Sequence, residues 1–184
     1  MRIVAGRHKG RRLAAPPGRT ARPTADRVRQ ALFDILAHTD LVELEGARVL
    51  DAFAGSGALG LEALSRGAAQ ASFIELHADS LAAIYANVKA LGEDGRAKVI
   101  RADAARPPAA PASCTLVFLD PPYGSGLAVP CLEGLAARGW LADGALVVVE
   151  VASDEDFVPP SGFEAVDQRR HGAAKLMFLV VTGS

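Results

Sequence analysis

From Arg48 onward the chain alternates short apolar runs with stretches of helical spacing, and this alternation limits the possible folds more than any other feature. "RVLDAFAG" reads as a buried strand and "GALGLEALSRG" as the helix after it, closed by Gly67. "ASFIEL" and "ADSLAAIYANVKALG" repeat the pair, with Leu81, Ile84, Tyr85, Val88 and Leu91 on one side of the helix. "AKVIRAD" is a third strand. "CTLVFLD" is a fourth, followed by a helix around Ala128 to Arg138, and "GALVVVEVA" is a fifth. "FEAVDQRRHG" and "AKLMFLVVT" have no helix length between them, so they read as a hairpin turning around Gly172. Strands joined through helices run parallel, with helices on both faces, and the hairpin adds one antiparallel strand. The expected class is α/β, with a Rossmann-like, mostly parallel sheet.

Ahead of this pattern lies a different kind of sequence. "TADRVRQALFDILAH" has Thr24 as a candidate cap and Val28, Leu32, Ile35 and Leu36 as a buried stripe, with Arg27 and Arg29 off it. Of the chain's 20 Lys and Arg and 21 Asp and Glu, nine and one respectively fall within residues 1–30, so the rest of the chain is acidic. A cationic end on an acidic body fits a polyanionic partner at that end. "RIVAG" and "RRLAAP" flank His8, Lys9 and Gly10 as two short strands would flank a turn, and PPGRTARP connects them to the helix. The expected division is a basic N-terminal β-hairpin with its connection at 1–23 and a main domain at 24–184.

The 184 residues suit one domain with a full core, and half of them are hydrophobic. No run approaches the roughly 18 apolar residues of a membrane span, and no apolar h-region follows the N-terminal charges. Cys114 and Cys131 lack the CxxC or Cys/His spacing of a metal site. They read as two reduced thiols of a cytoplasmic protein, with no metal.

"DAFAGSGALG" holds Gly55, Gly57 and Gly60 in GxGxxG spacing between a strand and a helix, and Glu75 lies 20 residues beyond Gly55. That spacing suits a dinucleotide, and a plain tight turn would also produce it. Asp51 argues against a dinucleotide, because a carboxylate at the pyrophosphate position repels phosphate. A ligand with an ammonium group and no phosphate suits it better, and S-adenosylmethionine has that form. Gly55 and Gly57 let the backbone approach such a ligand, and Glu75 can accept from both ribose hydroxyls. Asp103, with the Ala104 amide beside it, can take the adenine amino group. Each acid alone could be a helix cap or a solvated loop residue; together they stand at three successive strand ends, where open α/β sheets bind ligands.

"VFLDPPYGSG" ends a buried strand on a carboxylate and then fixes φ at two successive residues, Pro121 and Pro122. By itself this could be a stiffened turn with a core tyrosine. After the fourth strand it faces the bound ligand instead. An exocyclic amine of a nucleobase is a poor nucleophile, because its lone pair is delocalised into the ring. Acceptors on Asp120 and on the Pro121 carbonyl would hold its hydrogens and free the lone pair, while Tyr123 offers a face for the base to stack on. The proton would leave to Asp120 or to water.

With these residues in view, the chain resembles the bacterial 16S rRNA guanine-N2 methyltransferases of the RsmD type, within the class I SAM-dependent methyltransferases. The resemblance rests on "RIVAGRHKGRRL", "RPTADRVRQALFDIL", "LDAFAGSGALGLEALSRGA", "FIEL" and "FLDPPYG", in that order. It implies a seven-stranded methyltransferase fold with an N-terminal RNA-binding hairpin. It also implies methylation of the exocyclic N2 of a guanine in 16S rRNA, within the small ribosomal subunit or its assembly intermediate; a monomer is the default expectation, with oligomeric state open. S-adenosylmethionine, leaving as S-adenosylhomocysteine, would be held by Asp51, Phe53, Gly55, Gly57, Glu75, Leu76, Asp103 and Ala104. Catalysis would fall to Asp120, Pro121, Pro122 and Tyr123, and His77 would be a surface residue at a helix start. RNA phosphates would be met by Arg7, Lys9, Arg11, Arg12, Arg22, Arg27 and Arg29. The rivals are a DNA adenine or cytosine N-methyltransferase and a non-catalytic ribosome assembly factor on the same fold.

Overall fold

A computed structural model describes residues 1–17 and 23–183. Its elements are α1 (Pro23–Leu36), β1 (Arg48–Ala52), α2 (Ala58–Ser65), β2 (Gln70–Glu75), α3 (Ala78–Leu91) and β3 (Ala97–Arg101). They continue with β4 (Cys114–Leu119), α4 (Ala128–Ala137), β5 (Leu141–Ala152), β6 (Phe163–His171) and β7 (Ala174–Val181). The strands form one seven-stranded sheet in the order β3-β2-β1-β4-β5-β7-β6. Every neighbouring pair is parallel except those that β7 makes with β5 and β6. The fold class read from the strand–helix alternation is borne out.

Successive residues of the central strands feed opposite cores. Val49, Phe73, Phe118 and Val148 join Phe33 of α1, Leu61 of α2 and Ile84 of α3 on one face. Leu50, Ile74, Val117 and Val149 join Leu132 and Leu135 of α4 and Trp140 on the other. Burial on both faces explains why these strands read as near-continuous apolar runs rather than alternating ones. The Phe33 and Phe118 rings meet at 5.6 Å, tilted by 53°, and the Arg66 guanidinium lies 4.9 Å from the centre of Phe33. Both cysteines are buried, and burial pushes the thiol of Cys114 up to about 11 and that of Cys131 up to about 12. Among the described residues no helix is long and apolar enough to cross a membrane.

Several local expectations give way to specific contacts. Helix α1 starts at Pro23, so Thr24 lies inside it rather than capping it; proline, with φ preset and no amide to lose, suits a first turn. Strand β5 begins at Leu141, because a register shift between Cys114 and Leu116 lets the chain around Gly144 (φ 70°) rejoin the sheet. Tyr85 does not share the buried side of α3 but is 57% exposed. That flank is closed by Ser80, Ala83 and Asn87, which are small or polar enough for the N-terminal segment to approach. Arg29 is 5% exposed, although helical spacing set it off the apolar stripe.

Its burial follows from where the N-terminal hairpin sits. Ile3 N–H donates to Arg11 O (2.9 Å), Gly10 N–H to Ile3 O (2.9 Å) and Leu13 N–H to Met1 O (3.1 Å). The pairing is thus a hairpin with a single bridge, Arg2 to Arg12, outside the main sheet. Ile3 and Leu13 enter the same core as α1 and α2. The fully buried Glu62 of α2 accepts the amides of Val4 (2.8 Å) and Ala5 (3.0 Å) and pairs with Arg66 (2.8 Å). Arg29 donates to Arg2 O (2.5 Å) and to Asp26 (3.0 Å). A buried carboxylate and guanidinium are tolerable because both are met by opposite charges and backbone groups. Gly6, at φ 79°, touches α2 so closely that a Cβ would lie 1.9 Å from Ser65 O.

Candidate active site

The chain order β1–β2–β3 runs one way across the sheet and β4–β5 the other, so the two directions part between β1 and β4. Open α/β sheets form their ligand crevice at such a switch, outside the carboxyl ends of the strands. The glycine loop leaves β1 and the Asp-Pro-Pro-Tyr segment leaves β4, so the topology brings the two sequence motifs to the same crevice.

The glycine loop is built from left-handed backbone. Phe53 (φ 60°), Gly55 (φ 58°) and Gly57 (φ 77°) turn the chain from β1 into α2. Phe53 is the exception that costs energy, since a bulky residue rarely adopts positive φ. Gly57 precedes α2 without a side-chain cap. The cap comes instead from the preceding strand: Asp51 Oδ2 accepts the Gly60 amide at 2.9 Å. Gly60 could carry no side chain, because a Cβ would lie 2.4 Å from the Phe73 ring. Asp51 is therefore beneath the loop, 1% exposed, rather than open to the crevice. Burial pushes its carboxyl well above the usual range; the charges of Asp120 and Glu75 push the same way, and the Gly60 amide opposes them.

Glu75 closes the other side of the loop. Its Oε2 accepts the Gly55 amide at 2.8 Å, and Oε1 accepts the amides of Leu76 and His77 at 2.8 Å each. Three of a carboxylate's roughly four acceptor sites are thus occupied, so holding both hydroxyls of a diol requires an amide to let go. Leu76 follows as an exposed apolar side chain and His77 as an exposed residue at the start of α3. Asp103 makes the local turn that its residue type favours, accepting the Ala105 amide (3.0 Å) and pairing with the exposed Arg106 (3.1 Å). Ala104 is buried beside it.

On the β4 side, Leu119 is the last paired residue, opposite Ala52 of β1 and Val149 of β5. Asp120 comes next and is exposed, on the face of Phe118 by strand alternation. Asp51 and Glu75 share that face with Phe73. Pro121 is buried, Pro122 exposed, and the Ser125 amide closes a turn on Pro122 O at 3.2 Å. The Tyr123 ring is 49% exposed and its hydroxyl donates to Glu150 Oε1 at 2.6 Å. Glu150 escapes a reading of the sequence, where it is only the polar interruption of "VVVEVA". The signal that could have found it is the strand pairing, since a charged residue in an apolar strand level with Asp120 must face the crevice rim.

The cationic residues divide. Lys9, Arg12 and Arg27 are exposed, and Arg11 is exposed while donating to Ala90 O at 2.5 Å. Arg7 pairs with the buried Glu93, which also meets His8 (2.6 Å) and Arg96 (2.7 Å). Arg29, buried against Arg2, Asp26 and Glu62, has no surface to offer a phosphate. Arg22 lies outside the described residues. One further link joins the hairpin to the glycine loop: the Asn87 amide accepts from Ala14 N (2.7 Å) and donates to Ala14 O (3.0 Å) and Ser56 O (2.9 Å).

Known proteins resemble this chain in sequence and fold. Residues 1–180 match the family model described as Conserved hypothetical protein 95. The Escherichia coli (strain K12) protein named ribosomal RNA small subunit methyltransferase D is 42% identical over 151 residues, covering 82% of this chain and 74% of that one. Its namesake from Haemophilus influenzae is 34% identical over 176 residues, covering 94% and 89%. Among solved structures, a putative methyltransferase, yhhF, from Escherichia coli superposes with a TM-score of 0.84 at 36% identity, covering 100% of this chain and 99% of that one. Fold, motifs and relatives agree, and the chain belongs to the Conserved hypothetical protein 95 family, the RsmD family of methyltransferases.

Proposed function

We propose that this protein methylates ribosomal RNA, transferring the methyl group of S-adenosylmethionine to the exocyclic N2 of a guanine in 16S rRNA. The substrate would be the small subunit or its assembly intermediate, in the cytoplasm. The observation that supports this reading is geometric: Glu75 accepts the Gly55 amide at 2.8 Å, Asp51 accepts the Gly60 amide at 2.9 Å, and Leu119, the residue before Asp120, is paired with Ala52, the residue after Asp51. This pairing supports one crevice formed by the Asp-Pro-Pro-Tyr segment, the glycine loop and Glu75 at the end of β2.

The residues fit the sulfonium donor. Asp51 is a buried carboxylate beside two others, and such a site gains from a cationic ligand at the loop above it. Gly55 and Gly57 leave the loop backbone bare, and Leu76 offers an apolar surface next to Glu75. Phe53, Asp103 and Ala104 complete the holding set. When bound, S-adenosylmethionine supplies an electrophilic methyl carbon. Asp120 and the Pro121 carbonyl accept the two hydrogens of the guanine amine, which holds the nitrogen pyramidal with its lone pair aimed inward. The two prolines keep these acceptors from swinging, and Tyr123 stacks on the base. Positioning of this kind supplies large accelerations without an ionised nucleophile. Lys9, Arg11, Arg12 and Arg27 meet phosphates around the extruded base, with Arg7 and Arg22 as further contacts.

The test is transfer of labelled methyl to small-subunit particles, naked rRNA and DNA in parallel, followed by mapping of modified nucleosides. N2-methylguanosine in 16S rRNA is the expected product, absent from cells lacking the protein. Label in DNA would overturn the substrate. Tight particle binding with no transfer would mark an assembly factor.

A further inference from the structure

We propose that Glu150 is a positioning residue that holds the Tyr123 ring in the attitude needed to stack the target base; this rests on the methyl-transfer reading above. Tyr123 lies on a loop between Pro122, with its φ preset, and Gly124 and Gly126, which have φ 66° and 68°. Its ring is half exposed. Its hydroxyl donates to Glu150 Oε1 at 2.6 Å. A carboxylate acceptor at that distance makes one of the stronger side-chain hydrogen bonds.

Glu150 is a rigid post for that purpose. It sits on β5, which is paired on one side with β4 and on the other with β7, where Leu176 is its partner. It stands one register step past Val149, whose partner is Leu119. Glu150 and Asp120 are thus neighbours on adjacent strands, and alternation puts them on one face. Like charges across strands are unfavourable, and the Tyr123 hydroxyl offsets this by donating. The chain after β5 returns to the same loop. Glu155 Oε2 approaches the amides of Gly124 (3.5 Å) and Ala152 (3.4 Å), and the buried Lys175 donates to Glu155 O at 2.5 Å. The end of β5 therefore clasps the loop at two successive residues, Tyr123 and Gly124.

The experiment compares Tyr123→Phe, Glu150→Ala, Glu150→Gln and the double variant Tyr123→Phe/Glu150→Ala, using full-length protein and small-subunit particles. Each of the first two should lower kcat/KM for RNA on the order of tenfold or more, with S-adenosylmethionine affinity unchanged. The double variant should lose no more than either single change, and Glu150→Gln, which keeps an acceptor, should recover most of the activity. The chain has two tyrosines, so carbon-13 labelling at Cζ adds a readout independent of turnover: Glu150→Ala should move the Tyr123 resonance and leave that of Tyr85 in place. Multiplicative losses in the double variant, or an unmoved Tyr123 resonance, would overturn the proposal. Absence of transfer by the unaltered protein would overturn the methyl-transfer reading instead, and the resonance would still tell whether Glu150 holds the ring.

Discussion

Asp51 stands where the residue scale decides most about this protein. Its sequence position predicts a role at the glycine loop, but not that the carboxyl is buried under the loop it supports. Burial, Asp120 and Glu75 all raise its affinity for a proton above that of an ordinary aspartate, against the pull of the Gly60 amide. The sign follows by linkage. The folded state holds this proton more tightly than the unfolded chain does, so the group's unfavourable contribution is absent below the unfolded pKa. It grows as pH rises from there towards the folded pKa. Asp51→Asn keeps an oxygen for the Gly60 amide and removes the charge. It should leave the melting temperature unchanged at the acid end of the stable range and raise it at pH 8, with about 2–4 °C for each kcal/mol relieved. The same variant should bind S-adenosylmethionine several-fold more weakly. A melting temperature unchanged at pH 8 would mean that Asp51 is stabilised by contacts other than those named. Arg29 teaches the converse lesson. It is legible as a cation on a helix, whereas its partners Arg2 O and Glu62 are 27 and 33 positions away and invisible to helical spacing.

Between elements, the hairpin, α3 and the glycine loop are tied through one side chain. Asn87 bonds Ala14 twice and Ser56 once, with the chain separations of 73 and 31 residues that sequence patterns do not reveal. Strand and helix identity, by contrast, is legible almost throughout. Strands buried on both faces need near-continuous apolar runs, and β1, β4 and β5 have them, interrupted by Asp51 in β1 and by Asp143 and Glu150 in β5. The misplacement of Tyr85 marks the limit, because Asn87 occupies the flank that an apolar stripe would have claimed. Asn87→Ala frees the amide and carbonyl of the exposed Ala14 to water and leaves the buried bond to the Ser56 carbonyl unmade, at about 1–3 kcal/mol. Denaturant melts should therefore show a loss of that order, and calorimetry should show weaker binding of both S-adenosylmethionine and RNA. Gly6→Ala disturbs the hairpin on α2 alone, through the 1.9 Å approach to Ser65 O. It should lower RNA binding more than S-adenosylmethionine binding. Equal effects of the two substitutions on both ligands would mean that Asn87 carries no special link.

For the whole molecule, charge is distributed as function would require. Nine of the 20 basic residues fall in the first 30 positions, and the rest of the chain is acidic. The fold brings this cationic end onto α2 and α3, the helices that flank the glycine loop, instead of leaving it as a tail. On the proposed reading, the exposed cations of the hairpin and the methyl-transfer crevice are then joined through the same helices, so RNA held by the hairpin would have a defined relation to Tyr123. The exposed set is smaller than the sequence count, since Arg29 is committed to the interior, and the exposed Arg7 is shared with Glu93. This separates two substitutions that the sequence alone treats alike. Arg27→Glu should weaken particle binding, leave the melting temperature within about 0.5 kcal/mol of stability, and flatten the dependence of log K on log salt. Each phosphate that is no longer neutralised reduces the slope by about 0.7–0.9. Arg11→Glu with Arg12→Glu should flatten it by up to twice that. Arg29→Ala leaves Arg2 O without its donor and Asp26 without its partner, while Glu62 keeps Arg66 and two amides, so it should destabilise the fold by about 1–3 kcal/mol. Its remaining folded fraction should keep the wild-type salt slope. A slope that falls with Arg29→Ala but not with Arg27→Glu would place the RNA on a surface other than the one the hairpin and α1 present.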